Sequence, residues 1–248
     1  MTEGKLPKGW ARARLGDICM PIRRAEPRTI HERRFTYIDI SSIDSASRKI
    51  VSPQDLSVDD APSRARQIVC RDDVLFSTVR PYLRNIASVS AEFHNQFAST
   101  GFSVIRGADG IDPRYLFHLV NWSVFINQVL PFQRGSSYPA VRDEDVKSII
   151  VSVPPKEEQK RIAAKIDELF SRLDSTDATL KRISGGMLSD PLSLSFALRQ
   201  SILATAFRGE LAPGGADEEW ADDLLARIRA QRIADVAAAS PWNGKSNT

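Results

Sequence analysis

Val153-Pro-Pro-Lys-Glu-Glu-Gln-Lys-Arg-Ile-Ala-Ala-Lys-Ile-Asp-Glu-Leu-Phe-Ser-Arg-Leu173 divides this chain into two parts of different character. Pro155 suits the first turn of a helix, where a missing N–H costs nothing, and Glu157 and Glu158 place negative charge at the positive end of the helix dipole. From there Ile162, Ile166, Leu169, Leu173, Leu180, Ile183 and Met187 recur at spacings of four, three, four, seven, three and four, with Thr176 as the one polar position. That is a heptad seam, and it predicts a helix from Pro155 to Ile183 that Gly185-Gly186 ends. At ~1.5 Å per residue the helix would be roughly 40 Å long, about one turn of B-DNA. The seam is narrow and flanked by charges, so helix–helix pairing with a second copy is the expectation. Docking on the helix's own domain is the alternative.

Downstream, a second helix is predicted over about Leu192 to Arg208, carrying Phe196, Leu198, Ile202, Leu203 and Phe207 and stopping at Gly209. An acidic stretch then leads to a short helix through Leu224, Leu225 and Ile228, with disorder expected after Ala239. Upstream the reading is mixed. Strand-like runs at Phe35–Ile40, Val74–Val79, Ile86–Val89, Phe102–Ile105 and Ile149–Val153 are rich in β-branched and aromatic residues and bounded by Pro, Gly, Asp and Ser. One helix starts with Asp112 as N-cap and Pro113 at its first position, runs through Leu116, Phe117, Val120, Val124 and Val129, and stops at Pro131. The fold class is therefore α+β: one mixed α/β domain over 1–154, a coiled-coil-type spacer helix over 155–184, a linker and second helix over 185–211, and a partly helical tail over 212–248.

The chain has 248 residues, enough for a sizeable core, and its 42% hydrophobic and 26% charged content is that of an ordinary globular protein. No apolar run approaches a membrane span and the N-terminus has no signal-peptide core, so a cytoplasmic protein is expected. Cys19 and Cys70 have no metal-ligand spacing and read as a reduced pair, and the three histidines are scattered. Of 21 basic residues in 1–155, 17 are Arg, against 17 acidic residues, whereas 156–248 is slightly acidic. The planar guanidinium fork suits phosphate and guanine edges, a weak lean towards nucleic acid.

Four stretches resemble specificity (S) subunits of type I restriction–modification enzymes. Leu6-Pro-Lys-Gly-Trp10 with Arg14-Leu-Gly-Asp-Ile18 looks like the opening of a target-recognition domain, and Asp73–Ile86 like its central strand and turn. Ser148–Ile162 looks like the exit into the conserved helix, and Leu198–Leu211 like the helix that often ends such subunits. They stand in family order over roughly 6–232. The resemblance implies a noncatalytic subunit that binds double-stranded DNA and two methyltransferase (M) subunits, with restriction (R) subunits as further partners. S-adenosylmethionine, ATP and Mg would be bound by those partners and no cofactor by this chain. A complete S subunit has two recognition domains; this chain has one and no internal repeat, so it resembles a half-length form. Pairing of two copies through antiparallel spacer helices would restore two domains, reading a split, inverted-repeat site. A truncated half that acts only as an assembly factor, without reading DNA, is the alternative.

No chemistry of its own is legible. The chain has no Gly-Lys-Ser/Thr phosphate loop, no Asn-Pro-Pro-Tyr-type adenine pocket and no nuclease-like carboxylate set. DNA contact is expected instead at Arg80-Pro-Tyr-Leu-Arg84, where Pro81 stiffens a turn that offers Arg80, Tyr82 and Arg84; pairing of these arginines with Asp72 or Asp73 is the structural alternative. A second stretch is Gln133-Arg-Gly-Ser-Ser-Tyr138, where Gly135 allows close backbone approach and Arg134, Ser136, Ser137 and Tyr138 offer donors. The alternative is a solvated loop capping the segment Arg142–Lys147. Arg33 and Arg34 form a third candidate. Trp10 and Trp122 read as core.

Overall fold

The computed structural model describes residues 6–184, 191–212 and 219–239. Its first part contains β1 (Ala11–Arg14), β2 (Arg34–Ile38), β3 (Ile43–Asp44), β4 (Lys49–Ile50), β5 (Gln54–Ser57), β6 (Ala65–Ile68), β7 (Val74–Ser77), β8 (Ile86–Ser88), β9 (Phe97–Ser99) and β10 (Phe102–Ile105). Then come α1 (Pro113–Asn121), α2 (Ser123–Val129), α3 (Asp143–Ser148) and β11 (Ile150–Val153), followed by α4 (Lys156–Ser184), α5 (Pro191–Phe207) and α6 (Ala221–Ala239).

The central sheet is antiparallel in the order β10-β7-β8. All four residues of β7 and of β10 are buried. The two faces of β7 feed different cores: Val74 and Phe76 face one, Leu75 the other. A strand covered on both sides reads as an unbroken apolar run, which is why this sheet was legible. The second sheet, β5-β2-β9-β6, was visible only at β2. Its other strands, such as Gln54-Asp-Leu-Ser57 and Ala65-Arg-Gln-Ile68, are short and carry polar or small residues, so their pairing rests on β2 and on an edge-to-face contact of Phe35 with Phe97 at 5.3 Å.

The single helix expected over 112–131 is two. Asp112 caps α1 as expected, accepting from the N–H groups of Arg114 and Tyr115. The chain is extended at Trp122 (φ −71°, ψ 135°). The Asn121 side chain turns back to the Phe117 carbonyl at 2.8 Å, and the Ser123 N–H, which would have continued the helix, donates to Gln200 Oε1 of α5 at 2.7 Å. A tertiary partner thus replaces a helical hydrogen bond.

β11 pairs antiparallel with β1, so the domain's exit lies beside its entrance. α4 starts there and is clamped by buried polar groups. Trp10 Nε1 donates to Glu158 at 3.0 Å, and Gln159 accepts from the Asp112 N–H at 2.9 Å while donating to the Pro154 carbonyl at 3.0 Å. Ile162 and Ile166 are fully buried with Ala163 and Phe170 in the main core, against α1. The expectation that the whole seam faces a second copy is corrected for this half. Ala163 and Phe170 widen the stripe into the face of an ordinary docked helix. Leu169 and Leu173 are half-buried, and the side chains of Leu180, Ile183 and Met187 lie outside the described residues, as does the Gly185-Gly186 stop.

α5 runs back along α4, with Arg199 paired to Asp174 and stacked on Phe170 at 4.7 Å. Its end joins the main core through Leu203, Ala206 and Phe207, the last against Tyr115 and Trp122. Gly209, at φ +77°, stops it beside Pro7. The expected short helix near Leu224 is the longer α6. It buries Leu224, Leu225 and Ile228, and its Arg232 donates to the carbonyls of Gly16 (2.7 Å) and Cys19 (2.6 Å). The disorder expected after Ala239 falls outside the described residues.

Candidate nucleic-acid interface

After β7 the chain makes a knuckle. Arg80 and Arg84 both lie in the left-handed region (φ 47° and 55°), and Pro81–Leu83 form one 3-10 turn between them. The Leu83 N–H closes on the Arg80 carbonyl at 2.9 Å and the Arg84 N–H on that of Pro81 at 3.1 Å. Tyr82 and Leu83 project from it, 47% and 48% exposed.

A second loop, 133–140, is zipped onto this knuckle. Arg134 and Ala140 exchange backbone hydrogen bonds of 2.9 and 3.0 Å at the loop's neck. Gly135 turns it at φ +87°, where any side chain is strained and a Cβ would stand 3.3 Å from the Tyr138 carbonyl. The Arg80 N–H donates to the Pro139 carbonyl at 2.8 Å, and the Val141 N–H to that of Thr78 at 2.9 Å. The Arg80 guanidinium donates to the Ser137 carbonyl at 3.2 Å and stacks 4.8 Å over the Tyr138 ring. Two stretches chosen independently from the sequence, about fifty residues apart, are thus one surface. Tyr138, 72% exposed, crowns it beside exposed Gly135, Ser136 and Ser137.

The individual roles differ from the expectation. Asp73 is taken by Arg106 (2.7 Å) and Asp72 by Arg71 (3.2 Å), so neither Arg80 nor Arg84 pairs with them. Arg84 is instead a strut: it donates to the Asn121 carbonyl (2.9 Å) and to Ser123 Oγ (2.8 Å) and stacks on Phe196 of α5 at 5.0 Å. Burial lowers its pKa. Arg134 is held by Asp145 of α3, whose carboxylate also accepts from the Arg142 N–H at 2.8 Å. The hydrogen bond between their side chains raises the pKa of Arg134 and lowers that of Asp145. Arg134 therefore anchors the loop's neck to α3, as the reading of a loop capping the segment Arg142–Lys147 has it. Arg34 is bound at 2.7 Å to Asp55 across β2 and β5 in the other sheet, and Arg33 immediately precedes that strand. Arg48 stands immediately before β4. Its left-handed backbone (φ 57°) has no signature in Ser-Ala-Ser-Arg-Lys. A cleft of about 590 Å³, lined by Leu6, Leu119, Trp122, Phe125 and Phe207 among others, shares no residue with the Arg80–Tyr138 surface.

Residues 7–184 match the family described as Type I restriction modification DNA specificity domain. The chain belongs to this family. Among solved structures it is similar to the HsdS subunit from Thermoanaerobacter tengcongensis, 42% identical with a TM-score of 0.67, over 74% of this chain and 48% of that one. A chain from a structure of complex assembly and conformational transition of the type I R-M system is 41% identical, with a TM-score of 0.68, over 73% of this chain and 48% of its own. The EcoDI specificity subunit of Escherichia coli is 25% identical over 92% of this chain and 50% of its own length. The HindI specificity subunit of Haemophilus influenzae is 26% identical over 92% and 52%. The chain therefore spans about half the length of the specificity subunits it matches. Among the described residues no helix is long and apolar enough to cross a membrane.

Proposed function

We propose that this specificity-family chain reads one half of a split DNA site and directs partner methyltransferase subunits, and with them restriction subunits, to it. The observation that carries the reading is the junction of Arg80 with Tyr138. A fixed turn and a fixed loop bring together an exposed aromatic ring, two exposed serines and a half-buried guanidinium that has no carboxylate partner among the described residues. Rigid elements that hold polar groups outward are what base-edge readout needs, and aromatic faces add contact area at little entropic cost. The chain contributes recognition; S-adenosylmethionine, ATP and Mg belong to the partners, and the complex works in the cytoplasm.

A second copy supplies the missing half. With Ile162 and Ile166 already buried, self-association falls to the far part of α4 and to α5, where Leu194, Phe196 and Leu198 are 65%, 41% and 43% exposed. A two-fold dimer has a self-complementary interface and an inverted-repeat site. Light scattering on the chain with its M subunit tests this: two copies of each are expected. A complex that assembles with M yet shows no preference among DNA sequences would support the assembly-factor reading instead.

A further inference from the structure

Five described residues other than glycine have positive φ, and three of them are arginines: Arg48, Arg80 and Arg84. A left-handed backbone is strained for a long side chain, and such outliers gather at functional sites. None of the three has a carboxylate within ion-pair distance among the described residues. Arg34, Arg106 and Arg134 all do.

Two of these corners lie close together. Arg48 precedes β4, and Arg84 and Asn85 precede β8, which packs beside β4. Arg84 lies on Phe196 of α5, and it shares the Asn121 carbonyl with Gln200 of the same helix (2.9 and 3.4 Å). Arg199, one residue before Gln200, stacks on Phe170 and takes Asp174 as its carboxylate. The β3–β4 hairpin thus packs beside the strand that leaves the knuckle, the knuckle's Arg84 rests on α5, and the charges of Arg199, Arg84 and Asp174 all reach Arg48, with Asp174 already held by Arg199. The strain is electrostatic as well. Burial, then the charges of Arg199 and Arg84, push the Arg48 pKa down to about 10.

We infer that Arg48, with Arg84 and Arg199, forms a phosphate seat, filled by a backbone phosphodiester of the bound DNA. The assignment of the ligand to DNA rests on the proposed function; the anion seat itself does not. A phosphate would supply the missing negative charge and accept from the donors of Arg48 and the unused edge of Arg84. It would position the duplex without reading sequence, while the Arg80–Tyr138 surface supplies preference.

The test compares the full chain with its Arg48→Gln and Arg48→Lys variants. Each binds a duplex carrying the preferred site and an unrelated duplex across a salt series, and each is melted with and without inorganic phosphate. Loss of one phosphate contact lowers the slope of log affinity against log salt by about 0.9 and weakens both duplexes alike, roughly 5–10-fold at low salt. Arg48→Lys recovers part of that loss. Inorganic phosphate raises the melting temperature of the unaltered chain and not of Arg48→Gln, and without anion the Gln variant melts no lower, because a like-charge contact is gone. A purely structural arginine would lower that melting temperature. Equal affinities and slopes for Arg48→Gln and the unaltered chain would overturn the seat, as would a loss confined to the preferred duplex. Phosphate stabilisation with no binding of either duplex would keep the anion seat and remove DNA as its ligand.

Discussion

The start of β2 at Arg33-Arg34 and the knuckle at Arg80–Arg84 look alike in the sequence, as arginines next to a strand. They end in opposite electrical states. At the start of β2 Arg34 finds Asp55 diagonally across the antiparallel β2–β5 pair, and the cation is neutralised where it stands. At the knuckle Arg80 finds a carbonyl and an aromatic ring and, among the described residues, no carboxylate, so its charge is held in place and left for something else. Counting arginines does not locate a nucleic-acid surface. Cations that the fold positions but does not neutralise are the ones left free to meet a phosphate or a base edge.

The largest expected effect of this contrast is at Tyr138. Tyr138→Ala removes both the exposed ring and the face on which Arg80 rests; affinity for the preferred site falls by roughly 2–3 kcal/mol, 30-fold or more, with little change on unrelated DNA. Quantitative binding to both duplexes checks it. Arg80→Ala follows closely, at roughly 1–3 kcal/mol. Arg134→Ala acts at one remove. The loop loses its anchor on α3, and binding weakens by about 1 kcal/mol, with faster backbone hydrogen exchange around Arg134 and Ala140 as the accompanying sign. The anchor's pH dependence follows from Asp145, whose pKa is lowered in the folded chain. Its contribution is complete above the ordinary carboxylate range and is lost as pH falls through the lowered value, so loop exchange referenced to the intrinsic rate is flat between about pH 6 and 8. The smallest effect is at Arg34→Ala, less than about 0.5 kcal/mol on DNA binding, since breaking an exposed pair costs little. A larger loss there would erase the contrast.

The legible parts of the molecule are those with a local cause. Asp112-Pro113 starts a helix wherever it stands, β7 shows its double burial as an apolar run, and Pro155-Lys-Glu-Glu starts α4. What stayed hidden depends on distant partners: Gln200 capping α2, Asp55 neutralising Arg34, and Arg80 reaching the 133–140 loop. The seam of α4 shows the boundary clearly. Its period gave the helix correctly, but period alone cannot say which surface the stripe meets, and Ile162 and Ile166 meet the chain's own core. Ile166→Ala should therefore cost ~2–5 kcal/mol of folding stability at any protein concentration, measured by denaturant unfolding. A cost that appears only as the chain dissociates would return this residue to the intermolecular seam. The candidate site was half legible. The residue types of both stretches stand in the sequence, whereas their junction, and Arg48 altogether, needed the fold.

The most direct measurement is the set of sequences methylated when this chain is expressed with its M subunit, read across a genome, beside the same experiment with Tyr138→Ala. The account predicts a split motif of inverted halves for the unaltered chain. For the variant it predicts a loosened or lost motif, although the complex still assembles. An unchanged motif at unchanged occupancy with Tyr138→Ala would contradict it, because the Arg80–Tyr138 surface would then not be where this chain reads DNA.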